Sequence, residues 1–126
     1  MLHLQAALLV CSLGATGETT LLDFHADWCG PCREMSRTVD SLASFGYPIR
    51  KVNIDHDPQL AAQYRVTGVP CFVLLVDGQE QGRTDGVCSF DRLKRMYEKA
   101  GVKPNVNVAA ARAAGGPAIA ETAAMP

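Results

Sequence analysis

The sequence predicts an α/β fold, a mixed central sheet flanked by helices. Three observations carry that prediction. Apolar runs of strand length alternate with segments of helical periodicity. An Asp-Gly pair, Asp77-Gly78, follows the most apolar of those runs and signals a tight hairpin. The chain has 126 residues, of which 48 % are apolar, enough for one domain with a modest core.

The elements follow in order. "TLLDFHA", 20–26, is apolar and branched enough for a buried strand. Residues 30–45 place Met35, Val39 and Leu42 at helical spacing, with Arg33, Glu34, Arg37 and Asp40 elsewhere. That pattern is an amphipathic helix, stopped near Gly46 and Pro48. "IRKVNI", 49–54, reads as a second strand. Asp57-Pro58 supplies an N-cap and a proline for the first helical turn of a short helix through Tyr64. "CFVLLV", 71–76, is a wholly apolar strand, and "QEQGRTDG" is its hairpin partner, polar enough for an edge. Ser89 caps a last helix with Phe90, Leu93, Met96 and Tyr97 on one face. The order is β-α-β-α-β-β-α. Parallel pairs need crossover helices and the hairpin does not, so the sheet is mixed.

The two ends differ from this middle. Leu4 to Leu13 is an apolar run broken only by Gln5 and Ser12, too short to span a bilayer. Residues 1–19 therefore read as a signal peptide cut after Ala15-Thr16-Gly17, or as a first strand and helix. The absence of Lys and Arg before Leu4 counts against the signal peptide, which the pattern otherwise favours. Cys11 lacks the small preceding residue of a lipoprotein anchor. From Gly101 to Pro126 the chain is rich in alanine, glycine and proline without an aromatic residue, and a flexible tail is expected. The domain proper spans about 20–100.

Twelve basic and thirteen acidic residues nearly cancel, and no basic stripe points to nucleic acid. Five cysteines, at 11, 29, 32, 71 and 88, are an odd number that does not suit a fully paired secreted framework. They read as one functional pair, Cys29 and Cys32, and three individuals.

That pair sits where a strand meets a helix. Cys29 occupies the helix start, where unpaired backbone N–H groups and the macrodipole favour negative charge. A thiolate there is stabilised and becomes a usable nucleophile. Cys32 lies about one turn on, facing the same side, and can resolve a mixed disulfide formed by Cys29. Gly30 permits the tight turn, and Pro31 fits the first helical turn because its missing N–H costs nothing there. Trp28 offers a flat apolar wall beside the thiol.

"DFHADWCGPC" resembles the active-site segment of the thioredoxin family. "KVNID" at 51–55 resembles that family's third strand, "VTGVPCFVLLVDG" at 66–78 its proline loop and hairpin, and "GVCSFDRL" at 86–93 its final turn and helix. The resemblance covers roughly 20–100 and implies a thioredoxin-like fold. It implies a protein-disulfide reductase running on the Cys29–Cys32 dithiol with no cofactor, acting as a monomer. Cys29 would attack and Cys32 resolve. Asp23 matches the buried acid that exchanges a proton with Cys32, burial raising its pKa. Lys51 matches the lysine partnered with that acid. Pro70 matches the proline whose preceding peptide bond is cis, placing Val69 backbone groups against an extended substrate. Trp28, Gly30, Pro31 and Gly86 complete the implied substrate surface.

The sequence departs from the family in places. His25 stands where an aromatic is usual; it could tune the pair or bind a metal, though a rim-filling role is favoured. Arg37 replaces a helix-kinking proline, so a straighter helix is expected. Cys71 follows Pro70 directly and is an accessory-thiol candidate, with a small buried core residue as the favoured alternative. Cys88 reads as a core or turn residue.

Two locations share this chemistry. An exported, periplasmic or secreted, reductant would draw electrons from a membrane carrier. A cytoplasmic general thioredoxin would be fed by a reductase. A metal module using Cys29, Cys32 and either Cys71 or His25 is a contrasting reading. Structural zinc usually needs four ligands, commonly as two close pairs, and only one close pair exists here. A domain kept only for interaction is disfavoured by the intact Cys29, Cys32, Asp23 and Pro70.

Overall fold

The structure, a computed structural model, describes residues 18–107. Strand β1 is Thr19–His25, helix α1 Gly30–Ser44, β2 Ile49–Asn53, α2 Pro58–Gln63, β3 Cys71–Val76, β4 Gln79–Asp85 and α3 Phe90–Lys99. Each expected element is present within a residue or two. The sheet order is β2-β1-β3-β4. β1 runs parallel to β2, with Asp23 opposite Lys51, and antiparallel to β3, with Phe24 opposite Cys71. β3 and β4 form the hairpin, turned by Asp77 and Gly78, both at positive φ. The polar strand β4 lies at a sheet edge, as its composition predicts.

Alternation along β1 and β3 divides the core into two layers. Leu21, Phe72 and Leu74 face α1 and α3, where Met35, Val39, Leu42, Leu93 and Tyr97 are buried. Leu22, Phe24, Val73 and Leu75 face the other way, toward Ala61 of α2. Asp23 shares the α1 side with Leu21, so its carboxyl enters the first layer by the strand period alone.

Tyr97 shows how the layer is pinned. It is fully buried, and its hydroxyl donates to the Pro48 carbonyl at 2.8 Å. Tyr97→Phe removes one of the two bonds that carbonyl accepts, the other coming from the Leu21 N–H at 3.0 Å, a loss of about 1 kcal/mol. Urea unfolding checks this, and an unchanged midpoint would deny the bond a structural role.

α1 runs unbroken through Arg37, in keeping with the missing proline. It ends at Ser44 with Phe45 as its cap, and the chain turns away at Gly46, whose φ of 90° only glycine adopts readily. A side chain at Gly46 would also meet the backbone of Asn105, whose N–H donates to the Gly46 carbonyl at 2.7 Å. Val102 packs on the first layer and donates its N–H to the Tyr97 carbonyl at 2.9 Å. The packed unit therefore extends past residue 100, because Val102 is apolar and Gly46 offers an open backbone to Asn105. The remainder of the expected tail, 108–126, and the leader reading for residues 1–17 lie outside the described residues.

Candidate active site

The C-terminal end of β1 delivers Asp27, Trp28 and Cys29 to the start of α1. Cys29 is the N-cap of that helix, and its Sγ accepts the Cys32 backbone N–H at 3.1 Å. This is a capping bond with sulfur in the place of the usual oxygen, aimed by the orphan donors of a 15-residue helix. The Cys29 N–H itself donates to the Ala26 carbonyl at 3.1 Å, closing the turn. Cys29 and Cys32 are joined as a disulfide with their Cα atoms 5.3 Å apart. The pair can thus hold two electrons as thiols or release them by forming this bond.

Exposure does not mark Cys29 as the attacker. It is 3 % exposed in the closed disulfide, and Cys32 is half-buried. The two differ in position: Cys29 caps the helix and Cys32 lies in its first turn. Trp28 stands out at 66 % exposure, held by its indole N–H to Asp55 Oδ2 at 3.0 Å. Asp55 was not singled out in the sequence. Its only signal there is its place at the end of the second strand.

Asp23 is 6 % exposed, and burial pushes its pKa up to about 6, against the pull of the Lys51 charge. The expected partnership with Lys51 takes a different form. Lys51 Nζ makes its ion pair with Asp40 Oδ1 of α1 at 3.0 Å and reaches Asp23 as a through-space charge. The register that places Lys51 opposite Asp23 also brings Asp40 over β2, which no sequence spacing reveals.

A cavity of about 270 Å³ opens beside the pair, between β1, β2 and α1. Asp23, His25, Cys32 and Lys51 all line it. His25, half-buried, thus borders the same cavity as Asp23 and Cys32. Burial and the nearby Lys51 charge hold its pKa below the ordinary value.

The loop before β3 comes to the same end of the sheet. The Val69–Pro70 peptide bond is cis, Pro70 is buried and Val69 half-buried. The Pro70 carbonyl accepts the Gly86 N–H at 2.8 Å, and Gly86 has a φ of 80°. Gly30 and Pro31 are exposed at the helix start. Cys71 goes to the core: it is fully buried, and burial followed by the Asp85 contact pushes its thiol up to about 12. A thiol so reluctant to ionise is a poor nucleophile. Cys88 is half-buried, its thiol also raised by burial, and its N–H points at Met35 Sδ at 3.4 Å. Among the described residues, no group of three or more His, Cys, Asp or Glu is placed to hold a metal ion.

Comparison with known proteins agrees with this geometry. The sequence profile of the thioredoxin family matches residues 11–99. Thioredoxin 1 of Chlorobaculum tepidum is 39 % identical over 82 residues, covering 63 % of this chain and 81 % of that protein. Thioredoxin of Chlamydia caviae is 42 % identical over 87 residues, covering 68 % of this chain and 84 % of that one. Among solved structures, a mutant thioredoxin from Halobacterium salinarum superposes with a TM-score of 0.63 at 36 % identity, covering 68 % of this chain and 76 % of its own. Fasciola hepatica thioredoxin gives 0.61 at 34 %, covering 67 % and 83 %. The chain belongs to the thioredoxin family, and its chemistry is thiol–disulfide exchange.

Proposed function

We propose that the protein reduces disulfides of other proteins, with Cys29 attacking and Cys32 resolving. The observation that carries this is the Cys32 N–H directed at Cys29 Sγ at the start of α1. The same donor and helix end stabilise negative charge on Cys29 once the disulfide is opened. The Cys29 thiolate bonds to one sulfur of a substrate disulfide, and the other leaves as a thiolate that takes a proton from solvent. Cys32 gives its proton to Asp23, bonds to Cys29 Sγ, and expels the second substrate sulfur. Two electrons have passed to the substrate, and Cys29–Cys32 has closed.

The substrate lies across Trp28, Gly30, Pro31 and Gly86 as an extended segment pairing with the Val69 backbone beside Pro70. The protein acts as a monomer. An electron donor then reopens the disulfide. The apolar run before Ala15-Thr16-Gly17 supports an exported form fed by a membrane carrier. The family match reaching back to residue 11, across that cut, favours the cytoplasmic form fed by a reductase. The mass of the native chain decides between them, a start near Glu18 for export and an intact Met1 for the cytoplasm.

Insulin reduction by dithiothreitol tests the activity. The protein at micromolar concentration should accelerate precipitation of the freed chains well above background. A rate equal to the background refutes the reading.

A further inference from the structure

We propose that His25 is a proton-relay residue, passing protons between Asp23 and solvent through the cavity both side chains line. The inference rests on the reading of Asp23 as the group that exchanges a proton with Cys32.

The geometry starts from β1. Asp23 and His25 are two residues apart on one strand, so they project from the same face, toward α1. Their Cα atoms are about 7 Å apart, a gap that one or two waters span. The cavity of about 270 Å³ holds both, together with Cys32. It has polar walls and room for several waters, the conditions under which buried water is held. Asp23 is 6 % exposed, so a proton it receives leaves by way of the cavity. His25 is half-buried and lines the same cavity, so it meets both the cavity and solvent.

The other charged groups at this cavity are committed elsewhere. Lys51 of β2 is paired with Asp40 of α1 at 3.0 Å. Arg33 of α1 donates to the Asp27 carbonyl at 2.8 Å. The Asp27 carboxylate, in the loop after β1, accepts from the Asn53 amide at 3.3 Å. Lys51 and His56 disfavour charge on His25, and Asp27 favours it. Burial acts oppositely on the two relay groups. It lifts Asp23 to about 6 and lowers His25 from its ordinary value, so the two shifts run toward each other.

The step balances in both directions. When the Cys29–Cys32 disulfide forms, the Cys32 proton passes to Asp23, then to the imidazole, then to water. When dithiothreitol reduces that disulfide, its thiolate bonds to Cys29 Sγ and Cys32 leaves. Cys32 takes the Asp23 proton, and His25 resupplies Asp23 from solvent. The second dithiothreitol thiol then closes the ring of oxidised dithiothreitol and frees Cys29.

Single-turnover reduction by dithiothreitol, followed by fluorescence of Trp28, the chain's one tryptophan, tests this across pH 5 to 9. Wild type, Asp23→Asn, His25→Ala, His25→Gln and Asp23→Asn/His25→Ala are compared, with thermal melts confirming that each folds. His25→Ala and His25→Gln should slow reduction roughly 3- to 10-fold between about pH 6 and 7.5. Free imidazole should restore most of the His25→Ala rate, and removing His25 should change nothing further once Asp23 is Asn. If the His25 variants keep the wild-type profile while Asp23→Asn is slow, the relay is refuted and Asp23 stands. A loss that is uniform in pH and untouched by imidazole marks a structural role and also refutes it. If Asp23→Asn is as fast as wild type, the base reading fails and the relay with it.

Discussion

Asp23→Asn is expected to make the protein more stable at pH 8 and slower at disulfide exchange. Both effects come from one buried carboxyl. Its pKa in the folded protein is about 6 against 3.8 for an ordinary aspartate, and burial is the largest cause. A folded-state pKa raised above the unfolded value means that the folded state binds the proton more tightly. Folding is then favoured fully below pH 3.8, and that advantage is lost as pH rises toward and through 6. A shift of this size corresponds to roughly 3 kcal/mol, and Asn, which carries no charge at any pH, recovers about that much above pH 7. Urea unfolding at pH 4 and pH 8 is the measurement. The gap between variant and wild type should be large at pH 8 and close to nothing at pH 4, where Asp23 is mostly protonated in the fold. A gap independent of pH would show that burial does not hold the carboxyl as described. On the proposed mechanism, in which Asp23 takes the Cys32 proton, the rate of insulin reduction should fall about tenfold or more. The protein thus carries a destabilised charge at its site, a familiar exchange of stability for function.

Cys32→Ser should stop turnover and trap the substrate. Attack by Cys29 is untouched, since the backbone N–H that caps its sulfur belongs to residue 32 whatever the side chain. Release, however, becomes intermolecular. Losing a resolving thiol held one helical turn away costs at least about a thousandfold in turnover. Mass spectrometry under non-reducing conditions should find a mixed disulfide on Cys29. Cys29→Ser should form none. An adduct on Cys32 in the Cys29→Ser protein, together with none on Cys29 in Cys32→Ser, would reverse the roles.

The legibility of this chain follows the range of the interaction concerned. Local signals sufficed for the elements. Val39 and Leu42 are buried because they lie on one helical stripe, and Asp57 caps α2 through a bond to the Leu60 N–H. The site's own cysteines were legible because strand, turn, Gly30 and Pro31 are contiguous. Contacts across elements were not. That Lys51 pairs with Asp40, and that Trp28 is held by Asp55, depends on register and helix placement. Cys71 shows the same limit: next to Pro70 in sequence, it turns by the strand period into the second core layer, behind Phe24. His25 reaches the cavity for the converse reason, since the strand period puts it on the Asp23 side.

The seam between Gly46 and Asn105 sets where this domain can be joined to another. Composition invites a junction at Ala100, the last residue before the alanine-rich stretch. Yet the backbone bond from Asn105 closes over the end of α1, and Val102 seals the layer beneath it. A fusion partner or graft must therefore be attached beyond residue 105 if the bottom of the first layer is to stay shut.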